Sequence, residues 1–173
     1  MGRRVAKRLE SYWRLEAANA VVVPLVAIIL VLQYDGALTL ALWLSAAACS
    51  ALLVVGAIYW RGLLRRLQGG PRFLAAWLPW LGAARWPSLI LALAAVVATA
   101  AEFLTGEGGW TSTRIAAVGL STLAILEYVN YYEVQLQHFD NWADFRRLLS
   151  GKGFRRAHLA RELDARRQAR ILR

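Results

Sequence analysis

Two histidines and one cysteine leave this chain little with which to hold a metal ion or run nucleophilic catalysis. His138 and His158 stand in no H-E-x-x-H or paired Cys/His spacing, so neither a zinc site nor a haem clamped between helices is expected. Cys49 has no second cysteine to pair with, which excludes an internal disulfide framework. Among Ala46, Ala47, Ala48 and Ser50 it reads as a small residue for close helix packing. Period-2 alternation is missing and Ala and Leu dominate the apolar stretches, which argues against a β-barrel and for helices. Ser150-Gly151-Lys152-Gly153 lacks the first glycine, the hydroxyl after the lysine and the preceding strand of a phosphate loop. Ser45, Ser50, Ser88 and Ser121 have no histidine near in sequence to activate them, so no catalytic residue is assigned and an enzyme is the less favoured reading.

What is abundant is grease and positive charge. A chain with 58% hydrophobic residues, eight tryptophans and a net charge of +10 makes sense only because the two properties occupy alternating blocks. The apolar blocks are residues 17–33, 38–60, 87–105 and 115–133, each 17 to 23 residues long. About 20 residues are needed for a helix to cross about 30 Å of hydrocarbon. The predicted fold is therefore an all-α integral membrane protein with four transmembrane helices. The first block is read as a retained span: it contains Pro24, and Gln33-Tyr34-Asp35 after it is no small-residue cleavage site.

Orientation follows from the arginines and lysines. Of 21, five precede the first span, five lie between the second and third (Arg61, Arg65, Arg66, Arg72, Arg85), ten follow the fourth, and Arg114 is left on the other side. The positive-inside rule then places both termini and the middle segment in the cytoplasm of a cell with a bacterial-type inner (plasma) membrane. Residues 1–16, with Tyr12 and Trp13 among their basic residues, suit a helix lying at the inner headgroup layer before it turns into the bilayer. Within 62–86, Gly69-Gly70-Pro71 breaks the second helix, and the Trp-rich run Phe73 to Leu81 is too short to span, so it is expected to lie in the interface. A re-entrant loop is the alternative.

The four-span domain is taken as 1–138 and a basic cytoplasmic helical tail as 139–173. Glu133 to Leu149 reads as a continuation of the fourth helix, with Val129, Tyr132, Leu136 and Phe139 forming an apolar docking stripe at spacings of 3 and 4. Phe154 to Arg173 reads as a second helix whose Arg155, Arg156, Arg161, Arg166 and Arg167 meet anionic lipid headgroups; with one aromatic residue, nucleic acid is the poorer partner.

One polar cluster falls in a span. Glu127, Asn130 and Tyr131 lie near the inner end of the fourth, at the depth where topology also puts Glu16 and Asn19 of the first. They suit a proton, cation or headgroup site, or hydrogen bonds that join helices around a protonated carboxyl. Small residues at Cys49, Ser50, Gly56, Ala94, Ala98 and Gly119 permit close helix approach. Together these features rank a structural or accessory subunit, packed against a larger membrane complex or itself, first. An oligomeric channel or proton- or cation-coupled transporter using Glu127 and Asn130 comes second, and an interfacial enzyme acting on lipid or quinone third. No cofactor is expected of the chain alone; lipid, pigment or quinone at a partner interface is compatible with it.

Overall fold

The computed structural model describes residues 2–105, 109–136 and 154–171. Helices account for nearly all of them: α1 (Gly2–Gln33), α2 (Leu40–Leu67), α3 (Arg72–Ala83), α4 (Arg85–Thr105) and α5 (Ser112–Tyr128), a π-helical turn over Val129–Glu133, and α6 (His158–Ile171). There is no sheet among the described residues, only an isolated antiparallel bridge between Val134 and Arg156. Contacts divide the chain into two compact units, Met1–Ile125 and Leu126–Arg173.

Three helices, α1, α2 and α4, are long and apolar enough to cross a membrane. The first unit is organised around α2, against which α1, α3 and α4 all pack. Close approach is possible because the contacting residues are small. Ala41, Ala48 and Cys49 of α2 and Ala92 and Ala95 of α4 are fully buried, and Gly56 is buried beside them. Polar groups in these contacts point at each other: the Ser45 and Thr99 hydroxyls lie 3.5 Å apart, and Thr99 also donates to the Ala95 carbonyl at 2.7 Å. The outer faces of α1 and α4 are bare, with Val21, Leu25, Ile29, Ile90 and Val97 all about half exposed or more.

The tightest chemical link between α1 and α2 is made around Pro24. A proline has no N–H for the carbonyl four residues back, which is that of Ala20. Ser50 of α2 donates its hydroxyl to that carbonyl at 2.8 Å. Ala20 and Pro24 are both buried, so water cannot supply the missing donor.

The start of the chain corrects an expectation. Instead of an interfacial helix that turns into the bilayer, α1 runs without a break from Gly2 to Gln33. Its basic segment is held along the arginine-bearing end of α2: the Tyr12 and Trp60 rings are 5.5 Å apart, the Arg61 guanidinium lies over Trp13, and Leu9 is buried. The Trp-rich segment is a helix of 12 residues that buries Leu74, Leu78 and Leu81 and exposes Trp77 and Trp80. Only Ala84 separates α3 from α4, and Ala84 and Ser88 both keep helical hydrogen bonds, to the Trp80 and Ala84 carbonyls. The junction falls where Pro87 cannot bond the Ala83 carbonyl.

Helices α1 and α2 end in the same way. Past α1, Gly36 N–H bonds Val31 O at 2.8 Å and Asp35 N–H bonds Leu32 O at 3.3 Å; past α2, Gly70 bonds Arg65 O at 2.8 Å and Gly69 bonds Arg66 O at 3.3 Å. These are Schellman closures, which need a left-handed residue. Gly69 supplies it after α2 with φ 85°, but after α1 it is Asp35, at φ 52°. Gly36 is required for another reason: a Cβ there would lie 2.5 Å from the Ser112 hydroxyl and 2.8 Å from Val31 Cγ1.

A second correction concerns the fourth apolar block. The expected helix through Leu149 stops at Glu133: Val134 N–H bonds the Val129 carbonyl five residues back, and Val134 itself is extended (φ −133°, ψ 143°). The chain leaves the helix because it pairs with a distant segment. Gln135 N–H bonds Arg155 O at 2.8 Å and Ala157 N–H bonds Glu133 O at 3.0 Å. Phe139 and the expected Ser150–Gly153 turn lie outside the described residues.

The Ser50 to Ala20 bond gives a sharp test. Ser50→Ala is expected to cost about 1–3 kcal/mol in detergent unfolding, and Pro24→Ala, by restoring the N–H, to recover most of it in the double variant. Simple additivity of the two would show that the carbonyl is not what links them. Gly36→Ala is expected to lower the unfolding midpoint by a loss of about 1–3 kcal/mol, because the Ser112, Thr113 and Val31 side chains around it must give way.

Candidate functional site

The polar residues picked out near the end of the fourth block sit on the π-turn and the last turn of α5, in the second unit. Glu127, Asn130 and Val129 are half-buried, and Tyr131 and Tyr132 are buried, with 2% and 1% of their surface exposed. The five-residue register opens the helix enough for Asn130 to turn its amide oxygen onto the Leu136 N–H at 3.0 Å, closing the chain as it becomes extended. Tyr128 and Tyr132 pack with ring centroids 5.2 Å apart, and the Tyr128 hydroxyl points at Glu133 Oε1 across 3.5 Å. Of the expected docking stripe, Val129 and Tyr132 are therefore in the turn and Leu136 is beyond it, not on one helical face.

Glu16 and Asn19, the other residues assigned to this cluster, belong to α1 in the first unit, where Glu16 is half-buried and Asn19 exposed. Among the basic residues of the tail, Arg156 pairs with Asp164 at 2.8 Å, and the Arg161 guanidinium donates to His158 Nδ1 at 2.7 Å. Arg155, Arg166 and Arg167 are exposed. Of the small residues, Cys49, Ser50 and Gly56 lie in helix contacts, Ala94 and Ala98 are half-buried beside Ala95 and Thr99, and Gly119 is exposed with no atom within 4 Å of where a Cβ would stand.

A second polar site lies where the α1–α2 turn meets the end of α4 and the start of α5. It is a cavity of about 540 Å³ whose lining includes Asp35, Thr39, Glu102, Thr111 and Arg114. Arg114 builds it. Only 7% exposed, this side chain donates from Nη1 to the Gly109 carbonyl and from Nη2 to the Glu102 carbonyl, both at 2.7 Å, and its guanidinium lies 5.1 Å from the centre of the Phe103 ring. A cation on the last carbonyls of a helix is favourable by hydrogen bonding and by the helix dipole. Thr111 caps α5 by accepting the Arg114 N–H at 3.3 Å, as Thr39 caps α2 through Leu42 at 3.3 Å, and Thr113 donates to Ala37 O at 2.9 Å. With carboxylates and hydroxyls together, the lining can both accept hydrogen bonds from a polar group and donate them to it.

Sequence reasoning set Arg114 aside as the exception to the charge pattern. Its signal was that very isolation, together with the threonines at 111 and 113. Comparison with protein-family models, with curated proteins and with solved structures finds no match to this chain.

Two substitutions separate the sites. Arg114→Gln is expected to lower stability by about 2–3 kcal/mol through loss of the two charged hydrogen bonds, whereas Asn130→Ala, which loses one neutral acceptor, is expected to cost about 1 kcal/mol. Thermal unfolding in detergent reads both; equal effects would mean that Arg114 is not the staple of the α4–α5 turn.

Proposed function

We propose that this chain is a four-span membrane protein, with both termini on the cytoplasmic side of an inner (plasma) membrane, that serves as a structural or accessory subunit. It packs against a larger membrane complex or against copies of itself. The observation that carries this reading is how the inward-facing hydroxyls are used. Ser45, Ser50 and Thr99 are spent on bonds between or within helices, which favours a packing scaffold over a conduit. The bare apolar faces of α1 and α4 and the open backbone at Gly119 are surfaces for lipid or for a neighbouring helix. Helix α5, of 17 residues before the π-turn, is the fourth span, and the Trp77 and Trp80 face of α3 lies in the cytoplasmic interface.

The decisive experiment is gentle-detergent purification of the tagged protein from its native membrane, with sizing and mass spectrometry of what accompanies it. A stoichiometric larger complex or a defined homo-oligomer is expected; a lone monomer sinks the proposal. Glu127→Gln is expected to leave assembly intact. Loss of an ion flux in that variant with normal assembly would replace the accessory role by a channel. Reporter fusions at Gly70 and after Arg173 are expected to be cytoplasmic, and one at Asp35 external.

A further inference from the structure

Arg61 stands at the arginine-bearing end of α2, exposed, with its guanidinium carbon 5.3 Å from the ring centre of Trp13 on α1 and 5.6 Å from that of Phe73 on α3. Three helices thus fix one cation. Nearby Arg14 also lies over Trp13, but its charge is taken by Glu10 at 2.7 Å. Arg61 is different: among the described residues no carboxylate and no other hydrogen-bond acceptor is set against it. A guanidinium held over ring faces by cation–π attraction still has N–H groups to donate. Their planar fork is matched to two oxygens of one oxyanion, and because the rings hold it in place little freedom is lost when it binds.

The surroundings point to the source of the oxyanion. Tyr12, Tyr59 and Trp60 cluster beside the site, with Tyr12 to Trp60 at 5.5 Å and Tyr59 to Trp60 at 5.4 Å, as aromatic residues do at headgroup depth. From Trp13, steps of four along α1 lead to Ala17, Val21 and Leu25, all exposed, which is one apolar track on which an acyl chain can lie. Arg65 and Arg66, exposed one turn further along α2, add positive charge on the side away from that track. A soluble anion would use the fork and the charge but have no use for the track.

We propose that Arg61, held over the Trp13 and Phe73 rings, binds the phosphate of an anionic phospholipid whose acyl chain runs along α1. This rests on the reading of α1 and α2 as spans with their arginine-bearing ends at the cytoplasmic face.

The test uses the full chain, first shown by carbonate extraction to be membrane-integrated; release by carbonate would overturn the span reading and this proposal together. Native mass spectrometry after delipidation, with phosphatidylglycerol and phosphatidylcholine offered in equal amounts, is expected to show one phosphatidylglycerol retained by the wild type. Arg61→Gln is expected to weaken retention about tenfold or more, as loss of a charged hydrogen bond does. Arg61→Lys, which keeps the charge but not the fork, is expected to weaken it as well, and Arg3→Gln, which removes one exposed charge elsewhere on α1, to leave it unchanged. Three results would overturn the proposal in an integrated protein: no preference for phosphatidylglycerol in the wild type, wild-type retention in Arg61→Gln, or thermal stabilisation by inorganic phosphate equal to that by the lipid. The wild-type comparisons hold even if a variant fails to fold.

Discussion

The arrangement of the first unit depends on one carbonyl. Proline inside a helix costs about 3 kcal/mol, partly because it strands the oxygen four residues earlier. In apolar surroundings nothing but protein can take that oxygen up. Ser50 does so for Ala20, and the bond fixes both the register and the face with which α1 meets α2. Helices α3 and α4 are likewise assembled on α2, α4 with the Thr99 hydroxyl facing Ser45 and α3 through its leucine face. A missing hydrogen bond that weakens α1 as a free helix thereby becomes the feature that orients it.

Much of this was legible in the sequence, and the rest was not for definable reasons. Block lengths and the sorting of charge pointed to long apolar helices, and α1, α2 and α4 are such helices, α2 and α4 with bounds a few residues from those expected. The breaks at Gly69 and Asp35 follow from local turn chemistry. The small residues around Cys49 stand out by composition alone. What could not be read was anything that depends on residues far apart in sequence. Pro24 was visible, but that Ser50 answers it requires knowing which faces of α1 and α2 meet. Arg61 looked like one more cytoplasmic arginine until Trp13 and Phe73 were brought to it.

The end of α5 shows the same limit from the other side. Apolar residues at spacings of 3 and 4 continue through Leu136, and local periodicity favours more helix. The backbone follows a different course because Glu133 and Gln135 find hydrogen-bond partners at Ala157 and Arg155, about twenty residues away, and Asn130 supports the exit with its side chain. Tyr131, expected in the polar cluster, and Tyr132, expected on the docking stripe, are both packed inside the second unit. Their burial makes Glu127 and Asn130 the members of that cluster with surface still accessible.

The bridge between Val134 and Arg156 also has a topological consequence. By joining residues distant in sequence, it holds the start of α6 against the end of the π-turn through bonds that the main chain alone supplies. The joint is thus written in the course of the backbone and not in its side chains, so exchanging the residues at 133, 135 and 155 leaves it in place as long as each keeps its N–H and carbonyl.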